Sequence, residues 1–465
     1  MAQLAFKEGS IHFEGEAMKI ACAVTLMFII GGVVPQTASR DDLKSRNQAY
    51  LTGALSAARW IESTSMTTSH GVVWPGDPAD PKSVNTTLYA GTPGPILFFL
   101  ELYRYTQKAE FLEQAKAGAD ALAASLAENQ ATGLYEGLAG DGFTLGEAYL
   151  VTHDEKYRAA ALECVDRLKQ SAKKAGNGVE WSDVTDVIAG GSGTGLFLLW
   201  AADKLQAPGA KELAVEAGKH LIELGKATDG GGTRWLMDPA FPREMPNFSH
   251  GTAGVAYFLA SLYQVSKQKE FLEAALRGAQ YLTSIADKQG DICLIYHDNT
   301  LNGKSLYYLG WCHGPTGTAR LFYRLYQDTH DREWMDWTER AAHALVVEGA
   351  PEKVVTPGVW HNISVCCGVT AEAEFFMDMY QVTKKTEYLD LARKASDRLL
   401  ALATDDAHGT RWVQVETRVR PDIAIAQTGY MQGASGVGMW LLHLSAFAQG
   451  KYGPRIVFPD NPFSY

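Results

Sequence analysis

Positive charge is in short supply: 42 Lys and Arg stand against 53 Asp and Glu, a formal net charge of −11 over 465 residues. A surface of that sign repels phosphate backbones, so no nucleic acid is expected as a partner. No basic run of the kind that lies on anionic membranes is present. Strand-like alternation of polar and apolar residues is scarce, which points away from a sheet-based fold. Cysteine is sparse as well, with six residues: Cys22, Cys164, Cys293, Cys312, Cys366 and Cys367. They do not form an even disulfide framework, and Cys164, in the helical stretch AALECVDRL, reads as a core residue. A long apolar run is also missing. The most apolar stretch, Ile20 to Val34 (IACAVTLMFIIGGVV), is too short for a comfortable bilayer crossing, so no stable membrane span is expected.

That stretch carries a different signal. Met18-Lys19 gives it a short basic start, and small residues follow near Ala38 and Ser39, which together make a secretory pattern over residues 18–39. Residues 1–17 carry Glu8, Glu14 and Glu16, out of place upstream of a signal, so translation is expected to start at Met18. The expectation is export to a periplasm or the exterior; the alternative is a buried N-terminal helix of a cytoplasmic protein. Residues 40–465 then make one domain, and 46% hydrophobic residues can fill a large core.

What the sequence does have is a repeat. A short glycine motif recurs, each time opening an apolar segment, with first glycines at Gly91, Gly137, Gly190, Gly251, Gly314, Gly368 and Gly433. The intervals of 46 to 65 residues suit one helical hairpin and a loop. The segments that follow (PILFFLELYRYT, VAYFLASLYQVS, TARLFYRLYQDT) are apolar around most of their circumference, as buried helices are. A more polar, one-sided helix often comes next, such as AEFLEQAKAGADALAASLA. Seven such hairpins predict an all-α, double-layered (α/α)7 toroid, with the N-termini of its inner helices gathered at one end, where free N–H groups favour negative charge.

Aligning the copies on the first glycine brings distant residues into register. The residue before it is Ala90, Glu136, Ala189, His250, His313, Cys367 and Gln432; the one before that is Tyr89, Tyr135, Ile188, Ser249, Cys312, Cys366 and Met431. Equivalent positions in a ring face one mouth, so Cys312, Cys366 and Cys367 are expected to meet near His250 and His313. Three sulfurs suit zinc, whose catalytic sites use three protein ligands and one open position. Buried thiols without metal, or a disulfide from Cys312 to one of the pair, are the alternatives. Glu136 and Gln432 share the rim register and read as solvated or structural residues.

The seven glycine repeats, WCHG at Trp311 to Gly314 and the cysteine-led motif at Cys366 resemble the lanthionine cyclase and LanC-like family over about Asn47 to Leu444. The resemblance implies an α/α toroid with a central Zn2+ on Cys312, Cys366 and Cys367. It also implies addition of a thiol to dehydroalanine or dehydrobutyrine to give a thioether, with a dehydrated peptide or a small thiol such as glutathione as substrate. The family's general acid maps to His250, with Asp186 as an orienting partner or, alternatively, a helix cap. His313 is expected beside the ligands rather than on the metal. The family's usual third ligand is His where this chain has Cys367, and the Arg common four residues before the WC cysteine is Tyr308 here. Two other functions remain open. One is a glycan-active or glycan-binding toroid, with 11 Trp for stacking and Asp186, Glu136 and Asp298 as carboxylates; the other is a zinc-bearing binding protein without turnover.

Overall fold

The computed structural model describes residues 40–241, 243–352, 358–451, 453 and 455–463, with side chains from Lys44 onward. The expected 1–17 extension and the signal segment 18–39 lie outside the described residues. From Lys44 the chain packs as one unit.

Fourteen helices appear among the described residues. Seven begin just after the glycine motifs: α2 (Pro93–Thr106), α4 (Leu138–Thr152), α6 (Gly191–Lys204), α8 (Thr252–Ser266), α10 (Pro315–Thr329), α12 (Val369–Thr383) and α14 (Ala434–Ala448). The other seven are α1 (Arg40–Ser63), α3 (Ala109–Ser125), α5 (Glu155–Ser171), α7 (Ala210–Leu224), α9 (Lys269–Ile285), α11 (Arg332–Val347) and α13 (Thr386–Ala401). The first set is buried on nearly every side; in α14 every residue from Ala434 to Ala446 is buried. The second set buries one stripe, as α5 does with Tyr157, Ala161, Cys164, Val165 and Leu168. Each inner helix contacts the next, from α2 through α14, and α14 returns to α2. The ring is therefore closed, and the expected double-layered toroid is the observed fold.

One hairpin is not formed by consecutive helices. No outer helix follows α14 among the described residues, and α1 takes that place. A side chain on Gly53 would meet Leu441 of α14 and Leu400 of α13, Tyr50 donates to Asp397 (2.7 Å), and Ser445 donates to the Asn47 carbonyl (3.3 Å). The two ends of the chain thus close the seventh unit together.

Two recurring devices end the helices. Five inner helices stop on a residue with positive φ: Gln107, His153, Lys267, His330 and Lys384. Each of those N–H groups bonds the carbonyl of a tyrosine four residues back: Tyr103, Tyr149, Tyr263, Tyr326 and Tyr380. At the outer helices, tryptophans from the short two-stranded ribbons reach in. Trp181, Trp235 and Trp412 donate their indole N–H to the carbonyls of Leu168, Leu221 and Leu399 in the last turns of those helices.

The repeats are stitched together at the rim by backbone. Tyr89 N–H bonds the Tyr135 carbonyl (3.0 Å), Tyr135 that of Ile188 (2.9 Å) and Val187 that of Ser249 (3.2 Å). Ser249 continues to Cys312 (2.9 Å), Cys312 to Cys366 (3.0 Å), Cys366 to Met431 (2.9 Å), and Met431 back to Tyr89 (2.9 Å). These are the residues two before each first glycine. Seven bonds make a closed belt, which fixes the register that places side chains at the mouth. The belt slips by one residue at Ile188, where Val187 donates instead.

Below the belt, the C-terminal stretch 455–463 fills the middle of the ring. Asp460, fully buried, accepts from Arg320 (2.7 Å), Trp311 Nε1 (3.0 Å) and Tyr135 (3.1 Å). Phe458 stacks on Tyr430 at 4.3 Å between ring centres.

Candidate metal centre and its acid–base partners

Cys312 lies two residues before Gly314, the N-cap of α10, and Cys366 and Cys367 immediately precede Gly368, the N-cap of α12. The loop before α12 is a tight side-chain-braced turn. Asn362 Oδ1 accepts from Ser364 N–H (3.0 Å), and Ser364 Oγ accepts from Cys367 N–H (3.1 Å). Gly310 lets the other loop lie directly on it, because a Cβ there would collide with the backbone of Cys367.

This packing brings three sulfurs together. Cys312 and Cys367 Sγ are 3.4 Å apart, Cys367 and Cys366 Sγ 3.3 Å, and all three lie within 4.8 Å of one another. These separations are far beyond a disulfide bond of about 2.05 Å, and the cysteines are free. Ligand sulfurs at about 2.3 Å from a tetrahedral cation stand about 3.8 Å apart. The cluster therefore needs to open by only a few tenths of an ångström to take a thiophilic ion, and the donor set fits one. All three are buried, and the N-termini of α10 and α12 face the same region. Hydrogen bonds from Cys312 and Cys367 hold the Cys366 thiol well below the ordinary range, helped by Tyr89; burial pushes Cys312 well above it. Tyr89 donates to Cys366 Sγ (3.1 Å), and Gln432 donates to Tyr89 Oη (2.9 Å) and approaches Cys367 Sγ (3.9 Å). Of the two rim readings of Gln432, solvated or structural, the structural one fits: it is 3% exposed and braces Tyr89 and the sulfurs.

His250 stands at the same mouth, its Nδ1 2.6 Å from Asp186 Oδ2. Asp186 pairs with His250 and does not cap α6, whose N-cap is Gly190 with no side-chain bond. Its other oxygen accepts from the backbone N–H of Ala189 (2.8 Å) and Gly190 (2.9 Å), so the turn before the helix fixes the carboxylate before it meets the histidine. Burial works against a charged His250, but the hydrogen bond and charge of Asp186 outweigh it and hold the imidazolium above its ordinary range. The His250 side chain remains about one-third open (31%).

His313 is buried with its ring 5.5 Å from that of His250, and its Nδ1 has no partner. Burial and the neighbouring His297 and His250 keep it neutral, well below the usual imidazole range. It does not hydrogen-bond a sulfur; it packs between rings, His297 at 4.3 Å and Tyr308 at 5.4 Å. Tyr308 sits on a short parallel ribbon, Tyr307–Tyr308 beside Val359–Trp360, with its phenol held high by burial and by the sulfurs of Cys312 and Cys367. The residue that sequence reasoning missed is His297, whose Nδ1 is 2.9 Å from Asp298 Oδ2. It lies in a loop ahead of the motif, where no register marks it.

Asp186 and Asp298 each hold a histidine, and Glu136, exposed on the rim, has its carboxyl raised by burial and by the nearby charge of Asp186. Ten of the 11 tryptophans are buried, which removes them as stacking surfaces for sugar; Trp360 alone is partly open.

A family model for lanthionine synthetase C-like protein matches residues 82–450. A Danio rerio protein described as glutathione S-transferase LANCL1 is 21% identical over 319 residues, covering 67% of this chain and 73% of that one. Among solved structures, nisin cyclase superposes with a TM-score of 0.59 at 18% identity, over 88% of this chain and 94% of that one. An α-1,6-mannanase from Salegentibacter gives a TM-score of 0.46 at 12% identity, over 86% and 99%. The family match spans most of the chain, so the protein belongs to the lanthionine synthetase C-like family.

Proposed function

We propose that this lanthionine synthetase C-like protein is a zinc-dependent enzyme that adds a thiol across the double bond of a dehydroalanine or dehydrobutyrine residue, forming a thioether. The observation that carries it is the meeting, at one mouth, of a three-sulfur cluster with a histidine held in its charged form by a fixed carboxylate. Cys312, Cys366 and Cys367 would hold the zinc, which when bound supplies the positive charge that keeps a substrate thiol ionised near neutral pH.

The rest is done by side chains. Attack of the thiolate on the β-carbon leaves an enolate, which must gain a proton at the α-carbon. His250 rests protonated through Asp186 and is open to the mouth, so it is placed to donate. Tyr89 and Gln432 brace the sulfurs and set their direction, as outer groups do for metal ligands generally. The name of the Danio rerio relative offers one thiol source, glutathione; a cysteine of a dehydrated peptide would deliver the same sulfur nucleophile here.

The test is purified full-length protein given glutathione and a dehydroalanine peptide, with the adduct followed by mass spectrometry and zinc by metal analysis. About one zinc per chain and an adduct lost on chelation or in Cys366→Ala is the expected result. Full activity from metal-free protein would sink the proposal. Thiol or peptide binding without any adduct, unaffected in His250→Ala, would favour the binding-protein reading, in which the histidine carries no chemistry. Export through residues 18–39 is proposed alongside; a mature N-terminus upstream of residue 39 would contradict it.

A further inference from the structure

Thiol addition moves two protons on two different atoms: sulfur loses one and the α-carbon gains one. Two histidine–carboxylate pairs lie beside His313. The ring of His250, paired with Asp186, stands 5.5 Å from the His313 ring, and that of His297, paired with Asp298, stands 4.3 Å from it. We infer that His297 is the base that accepts the substrate thiol's proton, so that the two proton transfers are divided between two dyads. This assignment rests on the addition reaction proposed above.

The geometry supports a base at His297. Asp298 is fixed by the Thr300 N–H (2.9 Å) and lies 3.8 Å from Arg243. A carboxylate only accepts, so Nδ1 of the ring donates to it and the neutral ring carries its lone pair on Nε2. The His297 backbone N–H is tied to the Leu306 carbonyl (2.8 Å), and the ring packs against Tyr308 at 4.7 Å, a residue that lies near Cys312 and Cys367. Burial and the cations Arg418 and Arg243 favour the neutral imidazole against the pull of Asp298, whereas at His250 the hydrogen bond to Asp186 outweighs burial and favours the charged ring. Two like residues pushed in opposite directions divide acid from base.

The step balances. The S–H bond breaks and an Nε2–H bond forms on His297, leaving a thiolate and an imidazolium steadied by Asp298. The sulfur pair makes the C–S bond, the C=C pair moves to the α-carbon and its carbonyl, and His250 delivers the proton that closes the C–H bond. Turnover leaves His297 charged and His250 neutral, and solvent water resets both.

The test uses zinc-loaded full-length protein and its His297→Gln and Asp298→Asn variants. Glutathione binding is measured by calorimetry at neutral pH in two buffers of different ionisation enthalpy. In the complex the thiolate formed beside His297 favours its charged ring, so wild type should retain the thiol proton, with nearly none released per thiol bound, and His297→Gln should release close to one. In turnover, His297→Gln should slow glutathione addition about 100-fold or more, yet stay within several-fold of wild type with an aromatic thiol that is already ionised. Asp298→Asn should fall between. A merely structural histidine would slow both thiols alike, and that result overturns the inference, as does a wild type that releases one proton per glutathione. A wild type that binds glutathione but adds neither thiol overturns the proposed reaction itself and this assignment with it.

Discussion

Replacing Asp186 with Asn separates its two jobs. The Asn carbonyl can still accept from Ala189 and Gly190, so the turn before α6 survives, but the atom 2.6 Å from His250 Nδ1 becomes an amide. A hydrogen bond to a charged partner contributes about 1.5–3 kcal/mol; because the His250 side chain is 31% exposed, the lower end applies. The sign with pH follows from the raised imidazole. A group whose folded pKa lies above its unfolded value stabilises fully below the unfolded value, about 6.5 for His, and loses that contribution as pH rises through the folded one. Asp186→Asn should therefore destabilise by about 1.5 kcal/mol near pH 5.5 and by much less near pH 9, read as denaturation midpoints at both. Catalysis should change in the same direction. The proton donor must be charged, so the alkaline limb of the pH–rate profile should move to lower pH in the variant, with a neutral-pH rate loss of roughly 100-fold or more. A variant with an unmoved alkaline limb, or one destabilised equally at both pH values, would refute the assignment of Asp186 as the group that keeps His250 protonated.

Other perturbations test other parts of the structure. Gly310→Ala should push the Cys312 loop off the Cys367 backbone and lower zinc content well below one per chain, while helix content by circular dichroism stays the same. Gln432→Ala removes the donor to Tyr89 and the approach to Cys367; zinc affinity, measured by competition with a chelator, should fall about 10-fold or more. Asp460→Ala strands Arg320 in the ring interior and should cost about 3–5 kcal/mol in denaturant titration; a loss below about 1 kcal/mol, the scale of a surface pair, would mean the tail does not seal the ring.

The legible part of this molecule is the part that repeats. The inner helices, the outer stripe and the convergence of Cys312, Cys366, Cys367, His250 and His313 were all readable from one aligned glycine, and the backbone belt supplies the cause. Bonds between successive Tyr89-type positions force equal register on residues up to 65 apart, so alignment in sequence becomes adjacency in space. Asp186 was readable by the same route, four residues before its glycine. What the pattern hides is whatever the belt does not hold. The pairing of α1 with α14 joins residues some 400 apart in sequence with no shared motif. His297 and Asp298 lie in a loop whose length differs between repeats, so nothing aligns them, and only the folded loop reveals a second dyad. Tyr89 and Gln432 stood in the right rows, but a hydroxyl and an amide look structural until sulfur is seen beside them. The same division orders the chemistry. The proposed zinc ligands and proton donor sit on the belt or one residue beyond it, where the fold fixes them, and the proposed thiol base His297 sits in a loop that varies.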